Sequence, residues 1–112
     1  MTMYEGSCHC GAVSLTIAAA PIELGECNCS LCRRVGGLWH YCAPDEAEVV
    51  GECEGYVQGD RTLTTWRCRH CGCVTHWTAI DPDYRRKGIN MRMFDPAIWH
   101  ELPRKLIDGA SF

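Results

Sequence analysis

The sequence has no apolar run near the ~20 residues that a membrane-crossing helix needs, so no helical span is expected. Its start, Met1 to Gly6, shows neither a basic segment nor an apolar one, so no secretory signal is expected. An excess of one charge is also missing. Eleven Lys and Arg against fourteen Asp and Glu leave a net charge of −3 and a pI near 5.9. The dense basic runs are Arg33-Arg34 and Arg85-Arg86-Lys87, with no extended stripe and no aromatic–basic alternation. Such a surface suits a phosphate backbone poorly, and no nucleic-acid partner is expected. Repeats, low-complexity tracts and convincing interior linkers are lacking too. With 46% hydrophobic and 22% charged residues, the chain is not a disordered tail. Its 112 residues are expected to form one domain, 1–112.

Cysteine is what the chain has in excess, at ten residues. A short cysteine-rich chain is either a secreted disulfide scaffold or a metal protein of a reducing compartment. The missing signal favours the second, and with it the cytoplasm. Spacing points the same way. Seven cysteines fall in three clusters: Cys8 and Cys10; Cys27, Cys29 and Cys32; Cys68 and Cys71. A Cys-x-Cys pair is too close for an easy internal disulfide, yet both thiolates can reach one metal. Cys68-Arg-His-Cys71-Gly72 has the zinc-knuckle pattern. Its rival is a redox pair, which should precede a helix in a βαβ context. Here β-rich segments flank it on both sides.

The rest of the chain reads as short strands. Val13, Leu15 and Ile17 alternate with Ser14 and Thr16, the period of a half-buried strand. Pro21 and Gly25 read as breaks. Residues 30–34 suit one helical turn, stopped by Gly36-Gly37. Residues 38–42 read as a strand, 44–46 as a turn and 48–50 as a short strand. Tyr56-Val57, Gly59-Asp60 and 62–66 suggest a hairpin. A strand follows over 73–80, a turn at 81–83 and a last strand over 88–94. Asp95 and Pro96 open a short helix to about His100, as cap and first residue. The fold class is mainly β with little helix, a small sandwich or sheet stack.

Four thiolates complete a tetrahedral shell, which is what structural zinc requires. Cys8, Cys10, Cys68 and Cys71 supply that number from two distant strands. Three thiolates leave one position open, as in a catalytic zinc site. Cys27, Cys29 and Cys32 supply three from one short loop. A second structural site, with Cys42, His40 or water as fourth ligand, is the competing reading, and simple oxidation of the trio another.

At this point three motifs in order resemble a known family. Gly6-Ser-Cys8-His-Cys10-Gly-Ala-Val13, Cys27-Asn-Cys29-Ser-Leu-Cys32-Arg33 and Cys68-Arg-His-Cys71-Gly72 resemble the glutathione-dependent formaldehyde-activating enzymes, a family that includes the zinc domain of centromere protein V. Residues 89–95 and Leu106-Ile-Asp-Gly109 are similar to its C-terminal part. The resemblance implies a β-tent (Mss4-like) fold of packed antiparallel sheets with zinc sites. It implies structural zinc on Cys8, Cys10, Cys68 and Cys71, and a second, catalytic and more labile zinc on Cys27, Cys29 and Cys32. It further implies a carbon–sulfur lyase that reversibly adds a thiol, glutathione or similar, to an aldehyde such as formaldehyde. The chain is distinctly shorter than the enzyme that gives the family its name, so the reaction class transfers better than the substrate.

Around the trio, Arg33 and Arg34 are candidate partners for substrate carboxylates, against the default of solvated surface charge. Trp39 and Tyr41 can wall a pocket on one face of their strand, with His40 on the other as candidate general base. His9, His70, His76 and His100 read as structural or exposed. Two other functions compete with an enzyme. One is a zinc-stabilised protein-binding module. The other is a redox sensor using Cys42, Cys53 and Cys73, which requires exposed, low-pKa thiols.

Overall fold

The alternation at Val13, Leu15 and Ile17 builds the smaller of two sheets. The computed structural model describes residues 3–59 and 61–111. Its strands are β1 Tyr4–Ser7, β2 Ser14–Ile17, β3 Leu24–Cys27, β4 Trp39–Cys42, β5 Ala47–Val50, β6 Cys53–Val57, β7 Leu63–Cys68, β8 Val74–Ala79, β9 Lys87–Asn90 and β10 Arg104–Ile107. Two single-turn helices, α1 Cys32–Val35 and α2 Pro96–Trp99, complete the elements used below. β1, β2 and β5 form an antiparallel sheet in which Leu15 faces Val49 and Ile17 faces Ala47. The other seven strands run in the order β10-β3-β4-β9-β8-β7-β6.

Side chains of both sheets make one core. Val13, Leu15 and Ile17 of the small sheet cluster with Leu24, Leu38, Ile89 and Met91 of the large one, all essentially solvent-free. Each such aliphatic side chain contributes about 1.5–3 kcal/mol by leaving water. Lys87 of β9 crosses to the small sheet and donates from Nζ to the Ala47 carbonyl. Asp95 caps α2 by accepting from the Ala97 N–H at 2.9 Å, with Pro96 next, as its sequence signature indicated.

The fold is mainly β with little helix, as expected, but four details differ from the sequence reading. Pro21 and Gly25 do not break the chain up to the second cysteine cluster, because Leu24–Cys27 is a strand. Gly25 lies inside it because the Tyr41 ring crosses its backbone, where a Cβ would collide. The strand expected over 88–94 stops at Asn90. There the Asn90 side chain accepts from the Arg92 N–H and turns the chain into a 3₁₀ turn over Met91–Met93. β1 and β10 carried no readable signal. β10 is largely exposed, so it shows no clean two-residue period; it pairs with β3 in parallel, the exception in otherwise antiparallel sheets. In the hairpin of β6 and β7, Gly59 occupies a turn, and Asp60 lies outside the described residues.

Candidate metal centres and active-site cavity

The first cysteine cluster joins the turn between β1 and β2 to the turn between β7 and β8. The Sγ atoms of Cys8, Cys10, Cys68 and Cys71 lie within 4.8 Å of one another. Cys8 to Cys10 is 3.6 Å and Cys10 to Cys68 is 3.7 Å. A tetrahedral sulfur shell with bonds of about 2.3 Å has edges of about 3.8 Å, so the spacing fits zinc. It is far too long for disulfides, and all ten cysteines are free thiols. Backbone turns aim N–H groups at the sulfurs: Val13 donates to Cys8 at 3.3 Å and His70 to Cys68 at 3.4 Å. Gly11 and Gly72 make both turns possible, with φ of 81° and 80°, a region costly for other residues.

Their surroundings pull Cys71 and Cys10 in opposite directions. N–H groups of Cys73 and Cys10 pull Cys71 down to about 5. The Ala12 N–H pulls Cys10 down, but desolvation and the other three thiols outweigh it and hold Cys10 at about 11. A bound cation removes that conflict by stabilising every thiolate at once. No helix follows Cys71, so the redox-pair alternative lacks its expected context.

The second cluster begins at the end of β3 and ends at the start of α1. Cys27, Cys29 and Cys32 also place their Sγ atoms within 4.8 Å of one another. N–H groups of Cys29 and Cys32 point to Cys27 and Cys29 sulfurs at 3.5 and 3.3 Å. Burial raises Cys29, yet the Cys32 N–H and neighbouring thiols outweigh it and lower the group. Burial first, then Cys29 and Cys27, push Cys32 up. Three sulfurs so crowded also suit a cation. Among the described residues, neither His40 nor Cys42 joins them, so neither stands as a fourth ligand.

The end of the chain braces this loop, a role the sequence did not reveal beyond the likeness at residues 106–109. Asn28 donates from its side chain to Asp108 at 3.0 Å and accepts from the Ala110 N–H at 2.9 Å. The Asn28 N–H donates to the Ile107 carbonyl at 3.0 Å. Gly109 packs so closely that a Cβ there would lie 2.6 Å from the Cys27 sulfur. Hydrogen bonds from Ser111 first, then Asn28, lower the Asp108 pKa.

The two clusters differ in what surrounds them. The trio lines a cavity of about 770 Å³, and the four-cysteine cluster does not. Trp39, Tyr41 and Trp77 supply an aromatic wall, and Arg61 and Arg86, both exposed, lie at its mouth. Neither arginine forms an ion pair among the described residues. The Arg86 guanidinium lies 5.9 Å from the Tyr41 ring centre.

Several candidates fall elsewhere. Arg33 and Arg34 lie outside the cavity, and Arg34 is spent on the Ser30 carbonyl at 2.7 Å. They follow Cys32 in sequence, but α1 turns them into solvent. His40 does not line this cavity but an adjoining one of about 300 Å³, which shares Trp39, Tyr41, Arg86 and Ile107 with it. Burial, only partly offset by Glu46, lowers its pKa. His9, His70 and His100 are exposed. His76 is buried, bonded through Nδ1 to the Thr75 hydroxyl at 2.8 Å and stacked beside Trp66. Of the spare thiols, Cys42 is buried, and burial raises both it and Cys53. That is the reverse of what a redox sensor requires.

Comparisons with known proteins bear on family and fold. A sequence model described as "Glutathione-dependent formaldehyde-activating enzyme" matches residues 3–103. A Halomonas elongata protein named "Putative glutathione-dependent formaldehyde-activating enzyme" is 44% identical over 36 residues. That match spans 31% of this chain and 23% of the relative, so less than a quarter of the relative's length is represented. The crystal structure of a Rhodobacter sphaeroides protein superposes with a TM-score of 0.72 at 30% identity, covering 90% of this chain and 99% of that one. No helix is long and apolar enough to cross a membrane among the described residues. The chain belongs to the glutathione-dependent formaldehyde-activating enzyme family.

Proposed function

We propose that this chain, as one domain over residues 1–112, is a zinc-dependent carbon–sulfur lyase. It would reversibly add a thiol, glutathione or a similar one, to an aldehyde such as formaldehyde, in the cytoplasm. The observation that carries the reading is the asymmetry between the clusters: the three-cysteine one opens onto a large cavity and the four-cysteine one does not. Cys8, Cys10, Cys68 and Cys71 would hold a structural zinc. Cys27, Cys29 and Cys32 would hold a second zinc, with these three as the catalytic cysteines. When bound, that zinc supplies stabilisation of a substrate thiol as thiolate at neutral pH.

The protein's own groups do the remaining work. Trp39 and Trp77 exclude water from the reacting end of the cavity. Arg61 and Arg86, with no ion pair among the described residues, would bind substrate carboxylates at the mouth. The loop of Cys27, Cys29 and Cys32 is held in place by Asn28 and Asp108 from outside the cavity.

The test is exchange NMR on glutathione and formaldehyde, with and without the zinc-loaded protein. The expected result is faster formation and breakdown of the adduct, abolished by Cys29→Ser. Protein holding two zinc ions that leaves the solution rates unchanged would overturn the reading. A zinc-stabilised protein-binding module predicts that second outcome.

A further inference from the structure

Tyr41 is a polar group that the binding argument above does not use. It projects from β4 into the cavity that the cysteine trio lines. Its hydroxyl has no hydrogen-bond partner among the described residues, and the residue is half-buried. Its position is tightly fixed. The ring packs against Trp77 at 6.0 Å between centroids, and the Arg86 guanidinium covers it at 5.9 Å. Below it lies Gly25, where an ideal Cβ would come 2.5 Å from the Tyr41 oxygen. The strand therefore gives up a side chain at residue 25 to make room for this hydroxyl.

Gly25 also locates the hydroxyl along β3. Residues 25 and 27 share one face of that strand, about 6.6 Å apart at about 3.3 Å per residue. The Tyr41 ring thus lies against Gly25, one strand repeat from Cys27, and Tyr41 and Cys27 line the same cavity. An adduct whose sulfur lay near the trio would extend its hydroxyl toward the cavity wall that carries Tyr41, where one hydrogen bond of about 2.7–2.8 Å would join them.

We propose that Tyr41 is a catalytic residue that donates its phenolic proton to the aldehyde oxygen. The inference rests on the thiol–aldehyde reading above. The thiol loses its proton to solvent before attack. A sulfur lone pair then forms the S–C bond, and the C=O π pair moves onto oxygen. That oxygen takes the Tyr41 proton, and the tyrosinate recovers one from solvent. Thiol plus aldehyde gives the hydroxyalkyl thioether, with no oxidant or reductant. In reverse, tyrosinate removes the hydroxyl proton as the S–C bond breaks. A phenol is protonated at neutral pH and is thus in the donating form.

Tyr41→Phe tests this while keeping the ring, its aromatic contacts and the cysteines. The expected kcat/KM for the thiol–aldehyde reaction falls about 10²-fold, the scale of a lost proton donor. Zinc content and near-ultraviolet circular dichroism stay unchanged, and Tyr56→Phe, on exposed β6, has no effect. A second readout needs no turnover. Calorimetry compares S-(2-hydroxyethyl)glutathione with S-propylglutathione, which differ by hydroxyl against methyl. The wild type should prefer the hydroxyl ligand about fivefold, and Tyr41→Phe should lose that preference. A variant retaining over half the wild-type kcat/KM, or the same ligand preference, overturns the assignment. If the wild type does not accelerate the reaction at all, the underlying reading falls and this one with it. If the wild type and the variant accelerate it equally, only the role of Tyr41 falls.

Discussion

Replacing Cys68 by Ser should damage the protein far more than replacing Cys29 by Ser, and the difference can be estimated. A metal shared by the first cluster links Cys10 to Cys68 across 58 positions. Treated as a covalent cross-link, closing a loop of that length contributes about 4 kcal/mol through the unfolded chain. The trio spans only residues 27–32, for which the same relation gives about 2 kcal/mol. Environment widens the gap: Cys68 is 1% exposed, so its replacement leaves a serine hydroxyl in the core, whereas Cys29 borders the cavity. A domain of this size has roughly 5–15 kcal/mol in all. Cys68→Ser thus removes a large part of it and Cys29→Ser a small part. Urea titration followed by the four tryptophans reads both. At about 2 kcal/mol per molar urea, the midpoint should fall by about 2 M or more for Cys68→Ser, and by about 1 M or less for Cys29→Ser. Each protein is assayed for zinc before the titration. Cys29→Ser should stay folded with one zinc ion instead of two. Equal midpoint shifts, or a larger one for Cys29→Ser, would refute the division between a structural and a reactive centre.

Arg86→Met should raise KM for glutathione several-fold while changing much less for a small uncharged thiol, by steady-state kinetics on both. An equal effect on both thiols would count against a carboxylate contact. Asn28→Ala should weaken the second zinc about tenfold and leave the first untouched, because Asn28 ties the trio loop to Asp108 and Ala110; competition with a chromogenic chelator separates the two sites. His76 gives a pH effect. Burial first, and then Lys87, hold it at about 4, below its ordinary 6.5. The unfolded chain therefore takes up the proton first, so this contribution is complete above pH 6.5 and is lost as pH falls toward 4. The loss is about 3 kcal/mol at most, and His76→Gln should flatten that part of the urea-midpoint profile between pH 7 and 4.5. Parallel profiles for the two proteins would contradict the burial argument.

The two cysteine clusters that could hold a metal were legible because most of their information is local. Two residues or fewer separate neighbouring cysteines within each of the three sequence motifs, and the glycines after Cys10 and Cys71 report the turns they require. The central strand of the small sheet, β2, was legible for a similar reason, since Val13, Leu15 and Ile17 meet the core on one face. Of the cavity, only the wall of Trp39 and Tyr41 was legible, because the other walls come from β7, β8 and the segment before β9, which sequence order does not bring together. Adjacency misled in both directions there. Arg33 and Arg34 follow a ligand cysteine, yet a single helical turn points them to water. Arg86 sits in a basic run more than fifty residues later, yet the turn after β8 returns it to the mouth. Gly25 shows most clearly why such a wall cannot be read in one dimension. By itself it signals a break. Only beside Tyr41, one strand over, does its missing side chain become the space in which a hydroxyl is held along the face that carries Cys27.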